Sequence, residues 1–309
     1  MIILFGSNIL DQFFLTADLP EKDQAIHLAS HEERAGGKGA NQGVAAARAG
    51  SKVCFFGAIG DGGHGRQMYK NLESEGVDVS GIEILEDTPS GLAVIFVDHE
   101  DGTHRVVVSQ GANLSAKQDT ISDDLLTKDT TVLVQRELPI EETEKLVARA
   151  KQRGARTIMN LAPAKEISEN LLLNLDIIIL NEHEANTLAD HIGEDAADKW
   201  AFSKALSQKY NITTIVTLGG DGAICYGLEG QFQVDCLNVE PVDTIGAGDA
   251  FAGYLSASLD QGESMETALK RAVVAGSLTC TKLGAMTALP YKEEVDRYSS
   301  QVTLDPHLV

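Results

Sequence analysis

The chain of 309 residues is short of several residue types, and each shortage disfavours a class of protein. It contains no uninterrupted apolar run of about 18 residues, so no membrane-spanning helix is expected. Basic side chains are scarce, because 25 Lys and Arg stand against 46 Asp and Glu, for a formal net charge of −21. This charge repels nucleic acid and anionic lipid, and we expect neither as a partner.

Cysteine is also sparse, and its placement indicates no metal or redox site. The four cysteines, Cys54, Cys225, Cys236 and Cys280, lie in apolar contexts without the spacing of a metal or redox motif. Reduced thiols packed in a core are the expected state. The first residues, MIILFGSNILDQFF, lack the basic segment and cleavage site of a signal peptide. The sequence therefore predicts a soluble cytoplasmic protein.

Linkers and internal repeats are missing as well. No Gly/Ser-rich linker, low-complexity tract or repeat with a period of about 20–50 residues divides the chain. A hydrophobic fraction of 43% is sufficient for a sizeable core. We therefore expect a single α/β domain over residues 1–309.

Short apolar runs alternate with segments of helical periodicity along most of the chain. This alternation is typical of a three-layer α/β fold, in which helices flank a mainly parallel central sheet. The runs that predict strands are Ile2–Phe5, Val53–Ile59, Thr131–Val134, Thr157–Met159, Ile177–Leu180, Thr214–Leu218 and Ala223–Tyr226. The segments that predict helices are Ala40–Ala49, Gly65–Glu75, Glu141–Arg153, Glu182–Ala189, Ala196–Gln208, Ala250–Leu259 and Met265–Lys282.

Two stretches interrupt the alternation and predict strands without helices of their own. Gln24–Arg34 is polar but strand-like, and Gly91–Val97 with Arg105–Val108 predicts a hairpin around the turn HEDGTH at 99–104. Such strands are expected to leave the main sheet. We expect a small β-sheet lid, formed by about residues 12–34 and 89–109, that covers a ligand and excludes water.

A glycine cluster, AGGKGANQG, occupies residues 35–43. A dinucleotide-binding loop would follow a buried strand, whereas the preceding HLASHEERA is polar, and a phosphate-binding loop would need Ser or Thr after its Gly-Lys pair. Two interpretations stay open. The cluster is either a plain turn before an Ala-rich helix, or backbone that a small polar ligand approaches closely, with Lys38 and Asn41 able to bind it.

A second glycine turn, VDTIGAGDAF at 242–251, places Asp249 at the start of an apolar helix. Bare amides at a helix N-terminus attract anions. A fixed acid is unexpected at such a site, because its charge would repel a bound anion. The pair becomes useful if an alcohol attacks a phosphate, because the amides hold the charge while the carboxylate accepts the proton. The alternative is an ordinary first-turn acid that the helix dipole favours.

Both glycine motifs occur in an order that resembles the ribokinase branch of the PfkB carbohydrate kinase family. The likeness runs along nearly the whole chain, and its further motifs are GSNILD near the start, NEHE at 181–184, TLGGDG at 217–222 and TKLGA at 281–285. Each motif is weak alone, whereas together they are highly specific. The resemblance implies an ATP- and Mg²⁺-dependent sugar kinase with a ribokinase-like fold, in which the lid strands pair two subunits into a homodimer.

The resemblance also implies roles for particular residues. Asp249 would be the general base, and the anion hole would be formed by Gly246, Ala247 and Gly248. The sugar would be bound by Asp11, Gly36, Gly37, Lys38, Asn41, Glu137 and Asp249. The nucleotide would be bound by Asn181, Glu184, Thr217, Gly219, Gly222, Gly248 and Val273.

Two of these assignments have further detail. Adenine would lie between apolar residues near Val239 and the helix around Val273 and Gly276. Asn181 and Glu184 could also be a helix N-cap and its capping-box acid, and the sequence leaves this alternative open.

A monovalent-cation site, with K⁺ as an activator, is also implied by the resemblance. Its oxygen ligands would come from Asp243, Ile245, Thr279, Lys282 and Gly284. Ala288 departs from the family pattern, which often has serine there, so the strength of the site is open.

A second departure concerns the sugar. Ile9 stands where ribokinases commonly have an asparagine two residues before the aspartate, and this is similar to 2-deoxyribokinases. One hydroxyl contact is worth roughly 1–3 kcal/mol, enough for about ten- to hundredfold discrimination. We expect phosphorylation of the 5-hydroxyl of D-ribose, with 2-deoxy-D-ribose the nearest alternative. A different sugar or nucleoside kinase, and a non-catalytic sugar-binding sensor, are the other hypotheses.

Overall fold

The computed structural model describes residues 1–16, 22–28, 30–98 and 104–306. Its strands are β1 Ile2–Phe5, β2 Ile9–Thr16, β3 Ser30–Gly36, β4 Val53–Gly60, β5 Asp78–Leu85, β6 Gly91–Asp98, β7 His104–Ser109, β8 Thr131–Val134, β9 Arg156–Asn160, β10 Ile177–Asn181, β11 Thr213–Thr217, β12 Ala223–Gly227, β13 Gly230–Val234 and β14 Leu304–Pro306. Its α-helices are α1 Lys38–Arg48, α2 Gly63–Ser74, α3 Ile140–Gln152, α4 Glu169–Leu173, α5 Glu182–Ile192, α6 Lys199–Tyr210, α7 Ala247–Asp260, α8 Met265–Thr279 and α9 Lys292–Tyr298.

The main sheet has ten strands in the order β14-β13-β12-β11-β10-β9-β8-β1-β4-β5. The seven strands from β11 to β5 are parallel, and β12, β13 and β14 add an antiparallel edge. In an open parallel sheet the carboxyl ends of the strands share one edge, where such folds bind their ligands. The parallel arrangement of these strands therefore indicates that a site should lie at their shared carboxyl edge.

Both faces of the main sheet are buried, and β1 shows why its residues are apolar without alternation. Ile2 and Leu4 pack into one core cluster with α1, α2, α7 and α8, while Ile3 and Phe5 pack into a second cluster with α3, α5 and α6. Strands covered on both faces need apolar residues at every position. The resulting helix–sheet–helix layers confirm the predicted fold class.

Four strands form a separate sheet in the order β3-β2-β6-β7, which we call the second sheet. β2 pairs antiparallel with β3 and parallel with β6, and β6 pairs antiparallel with β7. The small additional β-sheet is thus present as predicted. The predicted turn at 99–103 lies outside the described residues, as do positions 17–21 and 29 of the first predicted lid segment.

Several elements differ from the sequence-based boundaries. β3 begins at Ser30, so positions 24–28 of the predicted polar strand are not in a strand. The short elements β13, β14, α4 and α9 were not predicted, and neither were the longer strands β2 and β5. β2 contains Asp11 and Gln12 in its middle, and β5 is an edge strand with many exposed positions. Neither has the continuous apolar run that marks a central strand. Within the described ranges no helix has the length and apolarity needed to cross a bilayer.

Candidate active site

Five parallel strands and three helix N-termini meet at the carboxyl edge of the main sheet. The edge is formed by the ends of β1, β8, β9, β10 and β11, and α1, α5 and α7 begin beside it. Helix N-termini offer unpaired amides and positive potential. Nearly all of the residues for which a role was predicted lie at this edge or in the loops around it.

The start of α7 leaves amides without an acceptor. Gly246 caps the helix with φ of 83°, a left-handed conformation that favours glycine, and no side chain caps it. The Ala247 amide donates to the Thr244 carbonyl at 3.3 Å. Within the described chain the amides of Gly248 and Asp249 have no such partner. A Cβ built on Gly248 would meet no described atom outside its own turn of helix within 4 Å, and Gly246, Gly248 and Asp249 line a cavity.

The other two helices at this edge have partners for amides of their first turn, three in α1 and the Asn181 and Glu184 amides in α5. In α1, Lys38 N donates to Glu137 Oε2 at 2.9 Å, Gly39 N donates to Ser7 Oγ at 3.3 Å and Ala40 N donates to the Ser7 carbonyl at 2.9 Å. In α5, Asn181 and Glu184 form a reciprocal capping box. α7 differs from both, because no side chain of the described residues caps it and its Gly246 and Gly248 line a cavity together with Asp249, so it is suited to bind an anion.

The Asp249 carboxylate lies in the first turn of α7 and is 6% exposed. Its Oδ2 accepts from Asn41 Nδ2 and its Oδ1 accepts from Gln42 Nε2, both at 2.9 Å. A carboxylate can accept about four hydrogen bonds, so lone pairs remain for a substrate hydroxyl. The structure thus brings the predicted base next to the free amides, with its orientation fixed by two neighbouring residues of α1.

Close contact between α1 and α7 makes these bonds possible. A Cβ on Gly253 would lie 2.5 Å from Ala45 Cβ and 2.7 Å from the Gln42 carbonyl oxygen. Such distances are shorter than van der Waals contact, so only glycine allows the two helix backbones to lie this close. Gly253 thereby sets the distance between the Asn41 and Gln42 amides and Asp249.

Glu137 follows β8 and joins two loops beside Asp249. Its Oε2 accepts from the Ser7 hydroxyl and from the Lys38 amide. Gly37 at the start of α1 has φ of 90°, and a Cβ there would lie 2.8 Å from the Ile9 amide nitrogen. The glycine cluster is therefore a turn before α1 that lies close to the backbone of β2, and the approach of a ligand to it stays a prediction.

Asp11 points from β2 towards the same group of acids. Its carboxylate lies against Gly36, where a Cβ would overlap Oδ2 and lie 2.6 Å from Cγ. Burial, with the nearby Glu137 and Asp249 carboxylates, raises the pKa of Asp11 to about 7, while Arg34 acts in the opposite direction. The predicted sugar-binding acids are thus close enough to interact electrostatically.

Among the described residues, Lys38 is the one cation lining a cavity of about 200 Å³ between the free amides and Asn181. The cavity is lined by Lys38, Asn160, Ala162, Ile179, Asn181, Glu184, Thr217, Thr244, Gly246, Gly248 and Asp249. Asp249 chiefly, and then Glu137 and Glu184, raise the pKa of Lys38 against the effect of burial. Burial raises the pKa of Glu184, against the Asn181 amide and Lys38. Lys38 is therefore held as a cation among carboxylates.

The predicted nucleotide loop follows β11 but only part of it lines this cavity. Thr217 lines it, whereas Gly219 and Gly222 lie in the following turn with φ of 58° and 87°. A Cβ on Gly219 would meet no atom within 4 Å, which leaves its backbone open to a ligand. Val273 is buried in the core with 4% exposure, so its side chain offers little surface to adenine. Val239 packs partly buried on the same cluster.

The predicted monovalent-cation residues form a neighbouring pair of loops. Asp243 Oδ1 accepts from the Ile245 amide at 3.0 Å, and Oδ2 accepts from the Gly284 amide at 2.9 Å. The Thr279 carbonyl accepts from the Lys282 amide at 3.3 Å. One carboxylate thus joins the loop before α7 to the loop after α8.

The second sheet faces the α7 loop across a larger cavity of about 680 Å³. Phe13, Leu15, Ile95 and Val97 of the second sheet line one side, and the loop residues Val242, Ile245 and Leu283 line the other. A further cavity of about 650 Å³ lies at the opposite edge of the main sheet and contains none of the residues with a predicted role. The chemistry is therefore concentrated at the carboxyl edge.

Sequence reasoning missed Gln42, Gln135, Asn160 and Ser7. Gln42 lies within the glycine cluster at 35–43, and Gln135 and Asn160 directly follow predicted strands. These positions in the sequence could have identified them as candidate site residues. All four side chains are buried and polar. Buried polar side chains at the carboxyl ends of parallel strands are candidates for a site.

A buried carboxylate beside uncapped amides at this edge of an α/β fold fits a site for phosphoryl transfer. The family model of the pfkB family carbohydrate kinases matches residues 1–292. The chain therefore belongs to the pfkB family of carbohydrate kinases and is a sugar kinase.

Individual relatives agree with this family assignment over nearly the whole chain. A ribokinase of Schizosaccharomyces pombe is 32% identical over 308 residues, covering 96% of each chain. A deoxyribokinase of Salmonella typhi is 30% identical, covering 97% of this chain and 98% of the relative. The structure of an Arabidopsis thaliana ribokinase complexed with ribose and ATP superposes with a TM-score of 0.88 at 27% identity, covering 96% and 98% of the two chains.

Proposed function

We propose that the protein transfers the γ-phosphoryl group of ATP to the 5-hydroxyl of D-ribose and yields ribose 5-phosphate and ADP. The proposal is supported by the ribokinases among the relatives, one of which is described in complex with ribose and ATP. The observation that carries it is the position of Asp249 between the free amides of α7 and the amide of Asn41.

An unsatisfied acceptor beside the base favours a polyhydroxylated substrate. Asn41 Oδ1 is buried and has no hydrogen-bond partner within the described chain, although Asn41 Nδ2 donates to Asp249. A buried acceptor without a donor is costly, and a sugar hydroxyl would satisfy it. Asp11, Glu137 and the backbone of Gly36 and Gly37 would bind the remaining hydroxyls.

The proposed step is an in-line displacement at the γ-phosphorus. Asp249 takes the proton of the 5-hydroxyl as the sugar oxygen bonds to phosphorus and the bond to the β,γ-bridging oxygen breaks. Amides of the 246–248 turn and Lys38 would balance the charge on the transferred group. The free amides of Gly248 and Asp249 support this role more directly than that of Ala247, which already donates to Thr244.

ATP would extend from this turn along the Asn181, Glu184 and Thr217 side of the cavity, towards Gly219, Gly222 and the region of Val273. In the described part of the chain, the carboxylates around the cavity outnumber its one lysine, so a triphosphate needs added positive charge. Mg²⁺ fits this requirement, and it commonly keeps water and phosphate as ligands with few from protein. Glu184 and Asn181 would orient that water, while the capping box holds both side chains in place.

The Asp243 loops would bind K⁺ as an activator. Carboxylate and carbonyl oxygens are suitable ligands for a hard cation. Asp243, whose carboxylate oxygens have further lone pairs, would bind it with the main-chain carbonyls of Ile245, Thr279, Lys282 and Gly284. A cation here would stabilise the loop that leads directly into the anion-binding turn.

2-Deoxy-D-ribose is the second candidate substrate, and Ile9 is the observation that favours it. Ile9 lies two residues before Asp11 on β2, and alternate residues of a strand share a face. Its side chain is 3% exposed and packs with Ala93 and Ile95. This apolar cluster offers no hydrogen bond to a 2-hydroxyl.

A coupled ADP-release assay with ribose, 2-deoxyribose, fructose and nucleosides, with and without K⁺, tests the proposal. We expect turnover on ribose or 2-deoxyribose that falls by roughly two to four decades in Asp249→Asn, about the contribution of a general base, with sugar binding retained. Asn is isosteric with Asp, and the substitution leaves the side chains of Asp11, Asn41 and Glu137 in place, which is why sugar binding should survive. No ADP release with any sugar or nucleoside would refute the proposal.

The assembly is proposed to be a cytoplasmic homodimer joined through the second sheet. β7 is an edge strand whose Val106, Val107 and Val108 are all exposed. A bare apolar edge favours pairing with another strand. The four cysteines are free, which agrees with a reducing compartment. Light scattering that finds only monomer at assay concentration would refute the dimer.

A further inference from the structure

A buried row of amides reaches Asp249 from the side of the main sheet. Gln135 Nε2 donates to Gln42 Oε1 at 2.8 Å, and Gln42 Nε2 donates to Asp249 Oδ1 and to Asn160 Oδ1, both at 2.9 Å. Gln42 has no exposed surface. None of these three amides has a sugar or nucleotide contact in the proposal above, and of the three only Asn160 is among the residues that line the smaller cavity.

The hydrogen bonds leave one orientation for the Gln42 amide. If it were turned over, its oxygen would face the oxygens of Asp249 and Asn160, and its nitrogen would face the donor of Gln135. The Asp249 carboxylate, which can only accept, therefore fixes the end of Gln42 that donates, and Gln135 donates to the Gln42 oxygen that is left. Because Gln135 follows β8 and Asn160 ends β9, the Asp249 carboxylate is tied to the carboxyl edge of the sheet as well as to α7.

The bond also has an electrostatic effect. A hydrogen bond donated to a carboxylate stabilises the charged form, which is the form that can accept a proton. Gln42 supplies this bond to Oδ1, while Asn41, the neighbour that faces the proposed sugar, supplies the bond to Oδ2. Gln42 can therefore keep the base ionised and oriented whether or not the sugar is bound.

We propose that Gln42, whose side-chain oxygen accepts from Gln135, is a positioning residue for phosphoryl transfer that orients the Asp249 carboxylate and keeps it ionised. The inference rests on the proposed function, in which Asp249 is the base. Other charged groups also act on Asp249, namely Lys38 of α1, Asp11 of β2 and Glu184 of α5. The variants below leave all three in place, so their effects cancel in a comparison with the unaltered protein.

The first test is the pH profile of kcat/KM for the preferred sugar in Gln42→Met, which keeps the side-chain length but loses the donor. We expect the acidic limb to move to higher pH by about one to two units, as for loss of one hydrogen bond to a charge. At the pH optimum kcat should fall about 10- to 100-fold, and KM for ATP should change little. Gln135→Met should shift the limb in the same direction by less. Gln231→Met, a glutamine on β13 outside the site, is the matched control and should leave the profile unchanged.

A purely structural role predicts a different result. In that case Gln42→Met would lower the Tm and reduce activity equally at every pH, with the acidic limb unmoved, and this outcome would overturn the proposal. Gln42→Glu is a second variant, isosteric and still able to accept from Gln135. We expect it to shift the limb further upward, because a second carboxyl group lies beside Asp249.

A measurement without substrate separates this inference from the proposed function. Carboxyl ¹³C NMR of the full chain, with the Asp249 signal assigned by its loss in Asp249→Asn, follows ionisation directly. We expect its titration midpoint to be higher in Gln42→Met or Gln42→Glu than in the unaltered protein, even if the sugars tested give no turnover. Equal midpoints in folded protein would refute the positioning role, whereas an absence of sugar turnover alone would refute only the proposed function.

Discussion

The carboxylate of Asp11 on β2 occupies the position where a Cβ of Gly36 would lie. Gly36 is on the neighbouring strand β3, diagonally opposite Asp11. A Cβ on Gly36 would overlap Asp11 Oδ2 and come within 2.6 Å of Cγ. Asp11 pairs with Arg34 and Ile9 pairs with Gly36 in the strand register, so the aspartate leans over the glycine. The absent side chain of Gly36 is therefore the space that the Asp11 carboxylate occupies.

Gly36→Ala should displace Asp11 and raise KM for the sugar by about 10- to 100-fold, as for a lost hydrogen bond to a charged group, with KM for ATP unchanged. Steady-state kinetics in both substrates test this. The matched comparison is made in an Asp11→Ala background, where Gly36→Ala should add little because its target is gone. Fully additive effects of the two changes would argue against the steric explanation.

Stability should depend on pH through Asp11. Because the folded pKa of about 7 lies above the ordinary value for aspartate, the folded chain holds a proton that the unfolded chain releases. Stability is therefore lost as the pH rises from about 4 to about 7. Asp11→Asn removes this loss, so calorimetry should find its Tm above that of the unaltered protein by roughly 2–4 °C at about pH 8, with a smaller gap at about pH 5. A gap of the same size at both pH values would contradict the burial of a charged Asp11.

Gly248→Ala should separate activity from stability. A Cβ there meets no protein atom within 4 Å, so folding is unimpeded and the Tm should be unchanged or slightly higher. The methyl group would enter the space in front of the free amides, and kcat should fall about 10- to 100-fold, comparable to loss of one oxyanion donor. Gly63→Ala, an equally open glycine in the first turn of α2, is the control and should keep full activity. Normal turnover in Gly248→Ala would refute binding of the transferred phosphoryl group at this turn.

Ile9→Asn should change the preference between sugars. The substitution introduces an amide on the face of β2 that carries Asp11, and one added hydroxyl contact is worth roughly 1–3 kcal/mol. The ratio of kcat/KM for ribose to that for 2-deoxyribose should rise about ten- to hundredfold. Ile9→Val, which keeps the apolar contact with Ala93 and Ile95, should leave the ratio within about threefold. An unchanged ratio in Ile9→Asn would assign discrimination to other residues.

The sequence predicted features that depend on local spacing. A glycine turn before an apolar helix is enough to place Asp249 beside free amides, because the geometry of a helix N-terminus is local. The Gln42–Asp249 bond joins residues 207 positions apart and depends on the close packing around Gly253, which no local pattern encodes. β2 was missed for a different reason, since Asp11 and Gln12 place a polar residue on each face of the strand and interrupt its apolar run. Likewise, the burial of Val273 follows from the packing of α8.

β1 and β2 are separated by Gly6, Ser7 and Asn8 alone. Ser7 bonds to Glu137 and to the start of α1, and the backbone of Asn8 is held on both sides by the side chain of Asn113. A hinge at this junction would have to break all of these contacts at once. Any movement of the second sheet over the site would therefore take place by bending or twisting of β2 beyond its anchored first residues, and not by rotation about the junction.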